Sequence, residues 1–234
     1  MTMLHALRRR LHGDRGLTLV EMVVVTAILG VVLAMVQVTT VTAEKDVGSN
    51  ATRLDEVQQA KVAMDSMSKN LRTSVLPSQL NGTCSGCDSA AFIAGDVRSV
   101  QFYANLNNNA NVVGPSQVSY SVSSTGVLTE YVHGPNPHAA TDYNYQYTCT
   151  AGTTGCVVYT RVLARHVVTS QVLFTYYDAS GAPISPPLDA TELPSVDSID
   201  IVLKLQQTPA VAPVTLTERV ALPNADAVAQ ASSS

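Results

Sequence analysis

The chain has 234 residues and a formal net charge of −4, and 14% of its residues are charged. The length suits one ordinary domain with an additional segment and excludes two large domains. The charge balance is not that of a nucleic-acid-binding protein, and the lack of tryptophan excludes a tryptophan platform for sugars.

The N-terminal 16 residues are basic, with four arginines against one aspartate, and an apolar run follows from Leu17 to about Val41. A basic flank stays in the cytoplasm while the apolar segment after it inserts into the membrane. A helix rises about 1.5 Å per residue, so this run can cross a hydrocarbon core of about 30 Å. The pattern predicts a membrane anchor over residues 17–41, with the C-terminal part outside.

Two simpler interpretations compete with a specialised anchor. Residues 41–43, Val-Thr-Ala, resemble a signal-peptidase site, but a signal peptide has an apolar region of only about 7–15 residues. A plain single-pass anchor does not explain Glu21, since a carboxylate in a membrane helix is costly unless it has a partner.

The segment Gly16-Leu17-Thr18-Leu19-Val20-Glu21 resembles the processing site of type IV prepilins and type II secretion pseudopilins. In that family a prepilin peptidase cuts after the glycine and methylates the new first residue. The resemblance implies cleavage between Gly16 and Leu17, removal of a leader of residues 1–16, and methylation of Leu17, where the family most often has phenylalanine. It also implies that Glu21 pairs with the α-amine of a neighbouring subunit.

The same resemblance implies the partners and the location of the chain. The partners would be the prepilin peptidase, other pilin or pseudopilin subunits and an inner-membrane assembly platform. The chain would be a single-pass membrane protein with an extracytoplasmic head, which then enters a pilus or a periplasmic pseudopilus. Nucleic acid would be a partner only in a DNA-uptake pilus. Gly30, in mid-helix, has two open interpretations: close helix packing, or a helix weakness used on assembly.

Beyond the anchor, apolar residues recur at steps of three or four, which predicts an amphipathic helix over residues 42–76 that continues the first. We expect one helix from Leu17 to Val75, stopped by Pro77, with Glu56 and the other charged residues largely off the apolar face. The stripe is interpreted as core packing and consists of Leu54, Val57, Ala60, Met64, Met67, Leu71 and Val75.

Residues 77–224 have the short, Val-rich runs and turn signals of antiparallel strands, and residues 77–95 have loop character. The fold class is therefore α+β, a long helix packed on an antiparallel sheet, with a flexible tail at residues 225–234. The predicted strands are Val97–Leu106, Val118–Ser123, Val127–Val132, Tyr143–Cys149, Val157–Ala164, Val172–Asp178, Ile199–Leu205 and Val214–Leu222.

The C-terminal part more loosely resembles PilW-like or J-type minor pilins and pseudopilins, through residues 163–165, 174–181, 199–205 and 217–224. This resemblance favours a minor structural subunit of a type IV pilus or a type II secretion filament. A second class of function uses the same anchor for a surface adhesin or a DNA-capture module.

The four cysteines form two close pairs, Cys84 with Cys87 and Cys149 with Cys156. An exported chain favours a local disulfide within each pair, while cross-paired disulfides and a metal or redox site stay open. The expected cofactor content is none.

The histidines show no catalytic or metal-binding spacing. His133 and His138 flank a Gly-Pro-Asn-Pro turn and are expected at the surface, and His5 and His12 lie in the leader. Because no nucleophile elbow, phosphate-binding loop or zinc-protease motif is present, we expect no enzyme.

Overall fold

A computed structural model of the chain describes residues 18–80, 87–108, 113–137 and 145–223. It confirms the α+β class, with one long helix and antiparallel strands. The chain divides into two units, Met1–Asn50 and Ala51–Ser234, called here the first and second units. Several predicted features lie outside the described residues: the leader with its two histidines, Gly16, Leu17, Cys84, His138 and the tail at 225–234.

Helix α1 spans Leu19–Leu71 and so crosses the boundary between the units. Its part in the second unit buries one face, which confirms that the Met64/Met67/Leu71 stripe packs in the core. At the start of that stripe, Leu54 is exposed and Val57 is partly buried against the core. The buried apolar side chains of the helix are Ala60, Ala63, Met64, Met67 and Leu71.

The helix ends at Leu71, four residues before the predicted end at Val75. Beyond it, the Val75 amide donates to the Tyr103 carbonyl at 3.0 Å, and the Asn105 amide donates to the Thr73 carbonyl at 2.9 Å. The apolar spacing continues to Val75, but pairing with a strand end satisfies these backbone groups instead of another helical turn.

The segment predicted as loop, residues 77–95, contains two short elements. Helix α2 covers Pro77–Leu80, where proline fits the first helical turn because it has no amide hydrogen to satisfy. Strand β1 covers Phe92–Gly95 and pairs with the strand that follows it. Four-residue elements are too short for a periodicity signal, so only the pairing reveals them.

The strands form two antiparallel sheets, whereas the sequence pattern predicted one. The first has the order β1-β2-β3-β4-β5 and the second the order β7-β6-β8-β9. The further strands of the first sheet are β2 Ser99–Ala104, β3 Ser116–Val122, β4 Leu128–His133 and β5 Val158–Ala164. Those of the second are β6 Phe174–Tyr177, β7 Pro183–Ile184, β8 Ser198–Leu205 and β9 Val214–Ala221, with a 3₁₀ turn at Leu193–Ser195.

The predicted strand at Tyr143–Cys149 is wrong over its described part, residues 145–149, which joins neither sheet. The side chain of Asn136 replaces a neighbouring strand here. Its side-chain oxygen accepts from the backbone amides of Thr148 at 2.9 Å and Cys149 at 2.7 Å, and the backbone amide of Asn136 donates to the Gln146 carbonyl.

One apolar core joins the second part of α1 to both sheets. The Tyr176 hydroxyl of β6 reaches across to the first sheet and donates to the carbonyls of Asp96 at 3.0 Å and Ser99 at 3.2 Å. The largest fully buried side chains include Tyr120, Tyr176, Phe92, Phe102, Phe174 and Met67. The helix and the two sheets of the second unit therefore share one interior.

We expect Met67→Ala to lower the free energy of unfolding of the second unit by about 2–5 kcal/mol, because Met67 is fully buried and its loss leaves a cavity. Val62→Ala is the matched control on the same helix, since Val62 is 60% exposed. Thermal unfolding followed by near-ultraviolet circular dichroism measures both variants. Equal, small losses in the two would contradict the packing described for α1.

Candidate functional site

The first unit contains a long apolar helical surface. Every residue from Thr18 to Gly48 is exposed, including 16 large apolar side chains between Leu19 and Val47. The helix is long and apolar enough to cross a membrane. An exposed apolar surface of this extent is not stable against water, so lipid or other protein chains must cover it.

A hydrogen-bonded cap stands at the start of this helix. The Thr18 amide and hydroxyl both donate to Oε2 of Glu21, at 2.9 and 3.0 Å, and the Glu21 amide donates to the Thr18 hydroxyl at 3.3 Å. This reciprocal arrangement is a capping box, which satisfies amides that have no partner within the helix. The carboxylate is thus held at the helix N-terminus, where the helix dipole favours negative charge.

The threonines within the apolar segment satisfy their hydroxyls on the helix itself. Thr26 donates to the Met22 carbonyl at 2.9 Å, and Thr42 donates to the Val38 carbonyl at 2.9 Å. Hydroxyls satisfied in this way are compatible with lipid, where no water offers a hydrogen bond. A methyl group at Gly30 would meet no atom within 4 Å, so the fold itself does not require glycine there.

Comparison with protein families locates a motif over this same segment. Residues 11–36 match the model of the prokaryotic N-terminal methylation motif. The chain carries the signature of type IV pilins and pseudopilins. No curated protein and no solved structure gives a significant match to it.

The motif makes the chain pilin-like, with the prepilin peptidase and other pilin subunits as its implied classes of partner. Proteins with this motif are structural rather than catalytic. Of the three residues singled out in the sequence, the structure describes Glu21, at the N-terminal end of α1. Gly16 and Leu17 precede the described residues, so their roles stay predictions.

The structure joins Cys149 and Cys156 in a disulfide, one of the two local pairings that the spacing favours. Cys87 is also disulfide-bonded, whereas Cys84 lies outside the described residues. Donor atoms of His133, Cys149 and Cys156 lie within 4.8 Å of one another. The disulfide leaves neither of these two sulfurs as a thiolate, so the cluster does not offer a zinc ligand set in this state.

The expectation of a surface position for His133 is wrong, because this residue at the end of β4 is only 8% exposed. Its Nε2 lies 3.0 Å from the Cys149 carbonyl oxygen, and its Nδ1 lies 3.3 Å from the Tyr131 hydroxyl. The histidine therefore fixes the disulfide loop to the first sheet.

A buried carboxylate, Glu130, forms a polar cluster that was not predicted from the sequence. Its Oε1 accepts from Tyr120 at 2.9 Å, Asn70 at 2.8 Å and Ser66 at 3.1 Å, and its Oε2 lies 2.7 Å from an Arg161 nitrogen. We call these five residues the Glu130 cluster. The alternation of side chains between the two faces of β4 could have predicted this burial, because residue 130 lies on the same inward face as residues 128 and 132.

Glu56 also departs from expectation. The helical periodicity predicts that Glu56 lies largely off the apolar face with the other charged residues, but its side chain is buried, with 1% of the residue exposed. Its Oε1 accepts from the backbone amide of Gln207, in the connection between β8 and β9. This contact links the helix to the second sheet, whereas the Glu130 cluster links it to the first.

Proposed function

We propose that this chain is a minor pilin or pseudopilin. It is cleaved after Gly16 by prepilin peptidase, methylated on Leu17, and assembled through the first part of α1 into a type IV pilus-like or type II secretion filament. One observation carries the proposal: the methylation motif at residues 11–36 overlaps an exposed apolar helix that carries a capped Glu21 in its first turn.

The proposed assembly chemistry follows from the free-energy cost of placing a charged group in hydrocarbon. The arginines of the leader hold the N-terminus at the cytoplasmic face, and cleavage removes them and exposes an amine on Leu17. Before assembly, the donors of Thr18 satisfy the Glu21 carboxylate. In the filament, the amine of a neighbouring subunit supplies the opposite charge, because an unpaired carboxylate in an apolar interior is costly.

The second unit supports the finer parts of the proposal. Its disulfide at Cys149–Cys156 suits the oxidising space outside the cytoplasm, where we place the head. The loose resemblance of residues 163–224 to PilW-like or J-type subunits favours a minor role. The neighbouring subunits and the assembly platform would cover the apolar helix that an isolated chain leaves exposed.

Expression of the full chain with and without prepilin peptidase tests the proposal. With the peptidase, we expect the intact mass to show loss of residues 1–16 and gain of one methyl group. A Gly16→Ala variant is the matched control and should stay full length, since the peptidase of this family cuts after glycine. A product that stays full length with active peptidase, or that is cut after Ala43, would refute the proposal.

A further inference from the structure

A cavity of about 280 Å³ lies in the second unit, beside the first sheet. Three tyrosines from two segments line it: Tyr103 from β2, and Tyr145 and Tyr147 from the segment held by Asn136. Asp88 and Gln146 add polar groups to the same wall. Its volume lies just below the range of about 300–1,000 Å³ that is typical of small-ligand pockets, and its lining combines aromatic rings with polar groups.

Hydrogen bonds and ring contacts fix two of the tyrosines. The Tyr103 hydroxyl donates to Oδ2 of Asp88 at 2.5 Å, and the Tyr147 hydroxyl donates to the Pro115 carbonyl at 2.7 Å. The centroids of these two rings are 5.9 Å apart, and the His133 ring meets Tyr147 edge-on at the same distance. The wall is therefore organised before any ligand binds.

The ring of the third tyrosine, Tyr145, packs against Gly114. A methyl group on Gly114, which has a φ of +106°, would lie 2.2 Å from a ring carbon of Tyr145. The ring therefore packs directly against the backbone of residue 114, a position that no other residue type could take without moving the ring. This close approach fixes Tyr145 in the cavity wall.

The charge of the cavity has one sign. Asp88 is the one carboxylate among its described lining residues, and that lining includes no lysine, arginine or histidine. Burial, with the hydrogen bond to Asp88, raises the pKa of Tyr103 to about 12, so its phenol is neutral at pH 7. The faces of neutral aromatic rings are negative and attract cations, so the rings and the carboxylate favour the same ligand charge.

We propose that this cavity binds a primary alkylammonium group, as found on a lysine side chain or a free aliphatic amine. The carboxylate of Asp88 and the side-chain oxygen of Gln146 are acceptors for the three donors of an ammonium group. The alkyl stem then packs on the faces of the tyrosine rings, which a small inorganic cation cannot do. This inference does not depend on the proposed role in a filament.

The test is a titration of the full chain in a non-ionic detergent at pH 7, with n-butylammonium as the probe. Carbon-13 labelling of the tyrosine rings allows nuclear magnetic resonance to follow each ring. We expect saturable shifts at Tyr103, Tyr145 and Tyr147, and none at Tyr159, which is exposed on β5 outside the cavity. The neutral analogue n-butanol should bind about tenfold or more weakly, because it lacks the charge.

Two variants and a control locate the interaction. Asp88→Asn keeps an acceptor for the Tyr103 hydroxyl but removes the charge, and Tyr145→Leu removes one ring; each should weaken binding about tenfold. Tyr159→Leu should bind like the original chain. Unchanged resonances at Tyr176 would show that the variants are folded. Equal shifts with n-butanol, or undiminished binding by Asp88→Asn, would overturn the proposal.

A lysine derivative separates the two sources of the ligand. The derivative is Nα-acetyl-lysine methylamide, which keeps the side-chain ammonium group. If it binds as strongly as n-butylammonium, the lysine side chain of another protein chain can occupy the cavity. Binding of n-butylammonium alone indicates a free amine, because the backbone of the derivative then fails to fit. Either result supports an ammonium site, and failure of both probes to bind overturns it.

Discussion

Replacing Glu130 by alanine should lower the free energy of unfolding of the second unit by about 3–5 kcal/mol, because several side-chain donors lose a buried acceptor at a cost of about 1–3 kcal/mol each. The side chain of Glu130 is fully buried, while that of Arg161 is 53% exposed. The variant removes the acceptor of Tyr120 and Asn70 as well as the partner of the arginine. Unpaired buried donors add to the loss, because they cannot regain water.

The Glu130 cluster is also a tie between elements. Ser66 and Asn70 come from α1, Tyr120 from β3 and Arg161 from β5, so one carboxylate connects the helix to three strands of the first sheet. Its loss should therefore loosen the docking of the helix as well as lower stability. Increased amide hydrogen exchange in the last turns of α1 would report this loosening separately.

Glu218→Ala is the matched control. Glu218 on β9 pairs with Arg72 at 2.9 Å, but the two side chains are 30% and 60% exposed. A pair that stays in contact with water contributes about 0–1 kcal/mol, so this variant should unfold close to the original chain. Thermal unfolding of both variants measures the two losses of unfolding free energy. Similar losses would show that burial of Glu130 does not determine its contribution to stability.

Replacing Glu21 by alanine should lower the amount of this chain in sheared filaments about tenfold or more, because a neighbour's amine would then be left unpaired in hydrocarbon. Processing at Gly16 should continue, so the variant should accumulate in the membrane at its mature mass. The measurement compares sheared and membrane fractions of cells that hold the peptidase, the assembly platform and sibling pilins.

Two further variants separate charge from helix capping. Glu21→Gln keeps an oxygen that can accept from the Thr18 amide but removes the negative charge, and Thr18→Ala removes the hydroxyl but keeps the charge. If pairing with an amine drives assembly, glutamine should fail like alanine and Thr18→Ala should assemble. The reverse pattern would show that the cap is what assembly needs, and would contradict the role proposed for the carboxylate.

Local patterns in the chain are enough to predict the anchor and the fold class. A continuous apolar run, a basic flank and Glu21 near its start indicate the membrane helix and the methylation motif, because each depends on residues adjacent in sequence. Apolar steps of three and four likewise predict the buried face of α1 around Met67. The disulfide at Cys149–Cys156 has the local pairing that close spacing favours.

Only the tertiary structure decided the contacts between distant segments. Division of the strands into two sheets depends on which strand edges meet, and burial of Glu130 and Glu56 depends on donors 10 to 151 residues away. His133 is buried because the loop that contains Cys149 packs over it. Helix α1 ends at Leu71 because the next backbone groups form hydrogen bonds with the end of β2. Periodicity reports which face of an element is apolar, but a polar side chain becomes buried only where other segments supply its partners.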